Sequence, residues 1–336
     1  MKRVLLFIFV LSFIAGGMTA WWFWHDMQVQ LDLPIQINTT TPTTYTIKSG
    51  MNLRNIGEDL TQRGILRHPY YFMLEGRLQG SDSRVKAGEY LLNPETTQRQ
   101  LLTQFVDGKV VQHSLSLIEG WSYKKIMNAV SGNEKLVQTL SNVDGKNVMT
   151  ALGYPEVHPE GRFFPDTYHF PSGMTDIEFL HRAYEEMEHV LQEEWQERDD
   201  GLPYKTSDEA LIMASIIEKE TAVAEERAAI AGVFVRRLQK GMKLQTDPTV
   251  VYAMGDEYQG NIRRKDLKID SPYNTYFYAG LPPTPIALPG VEAIHAALHP
   301  EAGDSLYFVA TGDGSHYFSK TLKEHNRAVA KYQLGK

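Results

Sequence analysis

The chain contains no cysteine. Disulfides, cysteine-ligated zinc and a cysteine nucleophile are therefore excluded, as is the lipid-modified cysteine that anchors bacterial lipoproteins. An excess of positive charge is missing too. Asp and Glu outnumber Lys and Arg by 41 to 34, the net charge is −7, and no Lys/Arg-rich block stands out. Nucleic acid is accordingly not an expected partner. A third absence is local: after Lys2 and Arg3, no charged residue occurs from Val4 to Trp24. That run of about 21 positions matches the ~20 residues a helix needs to cross a bilayer. The basic pair before it favours an N-terminus on the inside, and Trp21, Trp22 and Trp24 suit the far interface. A cleaved signal peptide with its site near Ala15-Gly16-Gly17 is the alternative. Cleavage there would leave a Trp-rich apolar terminus, so residues 1–25 are expected to be an uncleaved anchor, with the bulk of the chain on the outer side.

What is present is a globular composition. With 336 residues, 42% of them hydrophobic, the chain can build about two cores. Residues 26–44, which include PIQINTTTPTT, read as a linker because proline and a threonine run carry no helical period. From Tyr45 the pattern becomes β-α-α-β: YTIKSG as a strand, a helix capped by Asn52, a second helix opened by His68-Pro69, and GEYLL as a returning strand. Residues 94–111 supply a further helix and strand, so 45–111 form one small subdomain. SLSLI (114–118) reads as another strand, 122–152 as helical, EGRFFPDTYHFPSG (160–173) as a polar-aromatic loop, and 175–198 as a long amphipathic helix. The fold class is α+β, with 112–336 as the larger domain.

Within that domain, Thr206 and Glu209 have capping-box spacing. The helix they open is apolar on nearly every side from Ala210 to Ile217, then reaches Glu218, Lys219 and Glu220. A carboxyl at the end of a core helix is partly desolvated, which raises its pKa and suits a general acid; a surface Glu paired with Lys219 or Arg227 is the plainer reading. Downstream, GMKLQTDPTVVYAMG (241–255), SPYNTYFYAGLPPTPIALPG (271–290) and LYFVATGDGSHYFSKTLKEHNRAV (306–329) are rich in Tyr, Asn, Gln and Thr. Such side chains offer flat apolar faces and neutral hydrogen bonds, as a glycan groove does, although turn chemistry uses the same residues.

Two resemblances follow from these segments. The 45-residue β-α-α-β unit resembles the LysM module, which binds amino-sugar glycans. ASIIEKET, LQTDPTVVYAMG, SPYNTY, GLPPTPIALPG, LYFVATGDGSHYFS and EHNRAV together resemble the endolytic murein transglycosylase (YceG-like) family, in order and spacing, over nearly the whole chain. That resemblance implies a bacterial inner-membrane enzyme with its bulk in the periplasm, acting on nascent peptidoglycan strands. It also implies a penicillin-binding glycan polymerase as partner, and no cofactor. Glu218 is its implied acid/base. It would protonate the oxygen leaving C1 of N-acetylmuramic acid and then take a proton from that sugar's own C6 hydroxyl, closing a 1,6-anhydro ring. Because the acceptor is tethered, one carboxyl can serve both steps. Many members have Gly at the position of Ala222, which leaves only the turn after Thr221 in question.

Gln245, Asp247, Tyr252, Tyr273, Asn274 and Tyr276 are the expected substrate-binding residues, each with a turn or packing role as the alternative. Glu220, Asp166 and Asp247 are candidates for a second acid. Glu220 lies about 200° round the helix from Glu218, so both face one cleft only if the helix ends between them. It therefore reads as structural. Thr321 and Glu324 repeat the capping-box spacing, and His325 and Asn326 either reach the cleft or close a buried polar network. His295 and His299, four apart with Glu292 and Glu301 nearby, raise the possibility of a metal hydrolase, but the pattern is not H-E-x-x-H and no metal is expected. A non-catalytic glycan-binding scaffold is the alternative from another class.

Overall fold

The computed structural model describes residues 2–37 and 41–335. Its first element, α1 (Lys2–Leu31), is among the described residues the one helix long and apolar enough to cross a membrane. It runs six residues past the expected anchor. Met27, Leu31 and Ile35 are buried, Tyr71 donates to Asp26 at 2.7 Å, and Gln98 donates to the Gln30 carbonyl at 3.0 Å. The first part of the expected 26–44 linker is thus helix and packed chain, because its apolar side chains have a core to enter. Residues 38–40 of that linker lie outside the described residues.

The chain divides into two units, residues 1–113 with 170–173 and residues 114–169 with 174–336. The first holds β1 (Thr43–Ile47), α2 (Leu53–Gln62), α3 (Pro69–Leu78), β2 (Gly88–Leu92) and α4 (Gln98–Asp107). β1 and β2 pair antiparallel with Tyr45 opposite Tyr90. This places both tyrosines in a core with Leu53, Ile56, Phe72, Leu101 and Phe105. Asn52 caps α2 by accepting from the Asn55 amide. Arg99 of α4 binds Asp32 and Gln28 and also meets the buried Glu75, tying the end of α1 to this unit.

In place of one strand within 94–111 and another at 114–118, there is a single strand, β3 (Gln112–Ser116), paired with β4 (Thr167–Pro171). The expected helical run 122–152 is two helices, α5 (Tyr123–Ser131) and α6 (Gly145–Ala151). Gly132 ends the first, and Asp144 caps the second by accepting from the Asn147 amide.

α7 (Asp176–Glu197) starts with a complete capping box at Thr175 and Glu178. α8 (Ser207–Glu220) is the axis of the second unit, with every residue from Ala210 to Ile217 buried. Thr206 caps it as expected, but Glu209 accepts from the Lys205 amide. Around α8 pack α7, α9 (Arg227–Gln239), α10 (Asp247–Met254) and α11 (Val291–Leu298). Ala293, Ala296 and Ala297 are buried on α11; such small residues let helix axes approach closely. Gly232 does the same on α9, where a Cβ would stand 2.4 Å from the Glu301 carbonyl oxygen. Antiparallel β5 (Tyr307–Ala310) and β6 (His316–Ser319) and the capped helix α12 (Leu322–Tyr332) complete the unit.

Candidate active site

The last turn of α8 carries its two acids out of the core on opposite sides. Both are helical, since the cap falls at Thr221, and two positions on an α-helix differ by about 200°. The two carboxyls go to different surroundings. The Glu218 carboxylate accepts from the Gly290 amide at 3.1 Å. It is held against a short pairing in which Gly120 donates to the Leu288 carbonyl and Leu288 to the Trp121 carbonyl. Glu218 does not line the large cavity of this unit.

Glu220 does. That cavity, about 430 Å³, is walled by Glu220, Arg237, Gln245, Asp247, Tyr276, Tyr307, His316 and His325 among others. Four expected site residues, Gln245, Asp247, Tyr276 and His325, are thereby brought together with Glu220. The size falls in the ordinary range for small-ligand sites. Thr246 donates its hydroxyl to Glu220 at 2.8 Å. Burial pushes the Glu220 carboxyl up to about 7; the Thr246 hydrogen bond opposes this, the Asp247 charge adds to it and His316 opposes it. Glu218 is also raised, chiefly by burial. The pKa direction therefore does not separate the two acids, whereas the cavity does.

The segment opposite is preorganised. Gln245 sits at φ 52°, the one non-glycine residue with positive φ among those described. Such strain of roughly 1–3 kcal/mol persists where surrounding bonds over-determine the backbone, often at functional sites. Here the Gln245 amide donates to the Thr275 carbonyl and the Thr246 amide to the Thr275 hydroxyl. Thr249 joins the same buried cluster. Asp247 opens α10 and accepts from the Tyr276 hydroxyl at 2.7 Å.

The other expected contacts lie elsewhere. Asn274 is fully buried, its amide donating to the Leu267 and Ile269 carbonyls while its side-chain oxygen accepts from the Tyr276 amide. It shapes the turn that presents Tyr276. Tyr252 donates to Glu160 at 3.1 Å, and Tyr273, its ring tilted at 54° with its centroid 4.8 Å away, bonds Thr284. Neither lines the cavity. Asp166 accepts from the Thr167 amide and its own carbonyl pairs with the Leu117 amide, so it is a strand-end residue. Asn326 is exposed on α12 outside the cavity lining. Glu324 spends its carboxylate on the Lys320 and Thr321 amides.

The lining also includes His316, Tyr307 and Arg237, which no local spacing in the sequence flags. His316 is gripped by Glu226, whose carboxylate meets His316 Nδ1 at 2.6 Å and its amide at 2.8 Å. Tyr307 lies between His325, stacked at 5.3 Å, and the Arg237 guanidinium, 4.9 Å above its ring. The partners are separated by 18 to 90 positions along the chain.

Glu160, in the EGRFF loop, forms a second buried acid centre. It accepts from the Tyr123 amide and the Tyr252 hydroxyl, and burial raises it to about 7. A carboxyl whose folded pKa lies above its unfolded value binds protons more tightly when folded. Its stabilising effect is thus complete below about 4.5 and is lost as pH rises through about 7. Wild type should lose on the order of 2–3 kcal/mol relative to Glu160→Gln between pH 5 and 8, read by urea unfolding. Parallel stability curves for the two proteins would contradict this assignment.

A model of the YceG-like family matches residues 45–331. The chain belongs to the YceG-like family. It is 33% identical to the endolytic murein transglycosylase of Bacillus subtilis (strain 168) over 317 residues, covering 89% of this chain and 87% of that protein. The endolytic murein transglycosylase of Streptococcus pneumoniae (strain D39) is 29% identical, matching 98% of this chain, which spans 64% of that longer relative. The 2.6 Å crystal structure of a YceG-like protein of Listeria monocytogenes superposes with a TM-score of 0.54 at 31% identity, covering 86% of this chain and 99% of that one.

Proposed function

We propose that this chain is a membrane-anchored lytic transglycosylase that cuts nascent peptidoglycan strands internally, with Glu220 as its single acid/base. The observation that carries the reading is the position of Glu220: a carboxyl raised to about 7 at the wall of a cavity that also presents Asp247, Gln245, Tyr276 and His316. The relatives' names supply the substrate class.

In its neutral form Glu220 donates a proton to the glycosidic oxygen leaving C1 of N-acetylmuramic acid. The Thr246 hydroxyl, already donating to Glu220 Oε1, steadies the carboxylate that results. That carboxylate then takes the proton of the sugar's C6 hydroxyl as its oxygen closes onto C1. The C1–oxygen bond broken is replaced by the C1–O6 bond, and the proton returns to Glu220, so the cycle needs no water. Asp247, fixed by Tyr276, lies near enough to raise Glu220, and its negative charge opposes the positive charge developing on the ring. Confining an intramolecular acceptor is worth a large effective concentration.

α1 would hold the enzyme in the membrane with Lys2 and Arg3 inside, and the β-α-α-β unit would serve as a LysM-like contact to the strand or its synthase. Mass analysis of polymeric, uncrosslinked peptidoglycan incubated with the chain tests the reading. Products ending in 1,6-anhydro-muramic acid are expected. Reducing ends would mean hydrolysis, and unchanged polymer a binding scaffold.

A further inference from the structure

We propose that Glu194, His295 and His299 form a binding site for a zinc-type divalent cation, clipping α7 to the C-terminal end of α11 and standing apart from the catalytic cavity. His295 lies in the last turn of α11 and His299 is its C-cap, so the four-residue spacing puts both imidazoles on one side. Their rings stand 4.3 Å apart at 31°. Glu194 comes from α7, about a hundred positions earlier in the chain, and reaches His295 Nδ1 at 2.8 Å. One donor atom from each of the three residues falls within 4.8 Å of the others.

Tetrahedral donors about 2.0–2.1 Å from zinc stand roughly 3.3 Å apart. Closing the set therefore asks for shifts of no more than about 1.5 Å in side chains at the surface, which rotamer adjustment supplies. Two imidazoles and one carboxylate are a donor set that zinc favours, with a fourth position left for water or a neighbour. Glu292 stands on the same small groove as Glu194 and His295. Asp199 accepts at His299 Nδ1, 3.0 Å away, which fixes that ring's orientation as carboxylates do behind metal-bound histidines. The cluster shares no residue with the cavity around Glu220. Its role is to tie helices together, so it supplies nothing to the proton transfers.

The test uses the full chain in detergent, without an affinity tag, stripped by chelator and then titrated with Zn2+ and with Co2+. One saturable equivalent is expected, with the visible bands of four-coordinate Co2+ and a Zn2+-dependent rise in the unfolding temperature. His295→Ala and Glu194→Gln should each weaken binding by about tenfold or more and remove the temperature rise. Both variants should keep the activity of the stripped protein. Absence of saturable binding to the wild type would overturn the proposal. Binding that persists unchanged in the double variant His295→Ala/His299→Ala would overturn it equally, because the ion would then sit on other members of the chain's 11 histidines.

Discussion

Glu220→Gln should abolish product formation while leaving strand binding intact. The substitution is nearly isosteric, and its side-chain oxygen can still accept from Thr246, the partner Glu220 has at 2.8 Å. It is also neutral, as the donor form of Glu220 is, so the cavity should keep its shape and charge. What it lacks is a transferable proton. General acid–base catalysis contributes about 10²–10⁴-fold, and since this carboxyl serves two successive steps the loss should fall at the upper end. In wild type, kcat/KM should fall as pH rises through about 7, where burial places the Glu220 titration, because only the protonated form is a donor. Release of anhydro-ended fragments with time, together with co-sedimentation on insoluble murein, checks both halves. A variant that loses binding with activity would assign Glu220 to substrate contact instead.

Arg237 carries the second large effect, and it acts through the fold. The side chain is buried at 7% exposure. Its Nε donates to the Leu306 carbonyl at 2.6 Å, and Nη1 to the Leu244 and Lys243 carbonyls at 2.8 and 3.2 Å. One guanidinium therefore joins α9, the chain entering the strained Gln245, and the start of β5. Arg237→Met should destabilise the second unit by about 3–5 kcal/mol, since bonds from charged donors contribute roughly 1.5–3 kcal/mol each and the orphaned carbonyls add a desolvation cost. Arg237→Lys should recover little, because an ammonium lacks the planar fork that serves three carbonyls at once. Urea unfolding gives the stability, and activity under native conditions reports whether Gln245 and Asp247 keep their places. A loss below about 1 kcal/mol in Arg237→Met would show that water replaces these bonds freely.

Periodicity and caps made much of this architecture legible. The uncharged run of α1, the β-α-α-β order, the Thr175 and Thr321 boxes and the core helix after Thr206 follow from spacing that local physics reads directly. Gly132 and the polar stretch before Asp144 are weaker signals, so the pattern over 122–152 predicts continuous helix where the structure breaks between α5 and α6. The site was legible as a set of segments: Gln245, Asp247, Tyr276 and His325 do meet at one cavity. Which acid faces them was not. Sequence places Glu218 and Glu220 on opposite sides of α8, but which side holds the cavity depends on how the segments bearing Thr246, His316 and Gly290 pack, tens of residues away. Asn274 misled for a related reason. An asparagine in a Tyr-rich loop suits a sugar hydroxyl and a backbone carbonyl equally, and only burial decides between them.

The most direct test is product analysis with Glu218→Gln, the variant that separates the two acids at the end of α8. Incubated with uncrosslinked peptidoglycan, it should yield 1,6-anhydro-ended fragments at close to the wild-type rate, since its carboxylate is engaged with the Gly290 amide away from the Glu220 cavity. A folded Glu218→Gln protein that releases no such fragments, beside an active Glu220→Gln, would contradict the account.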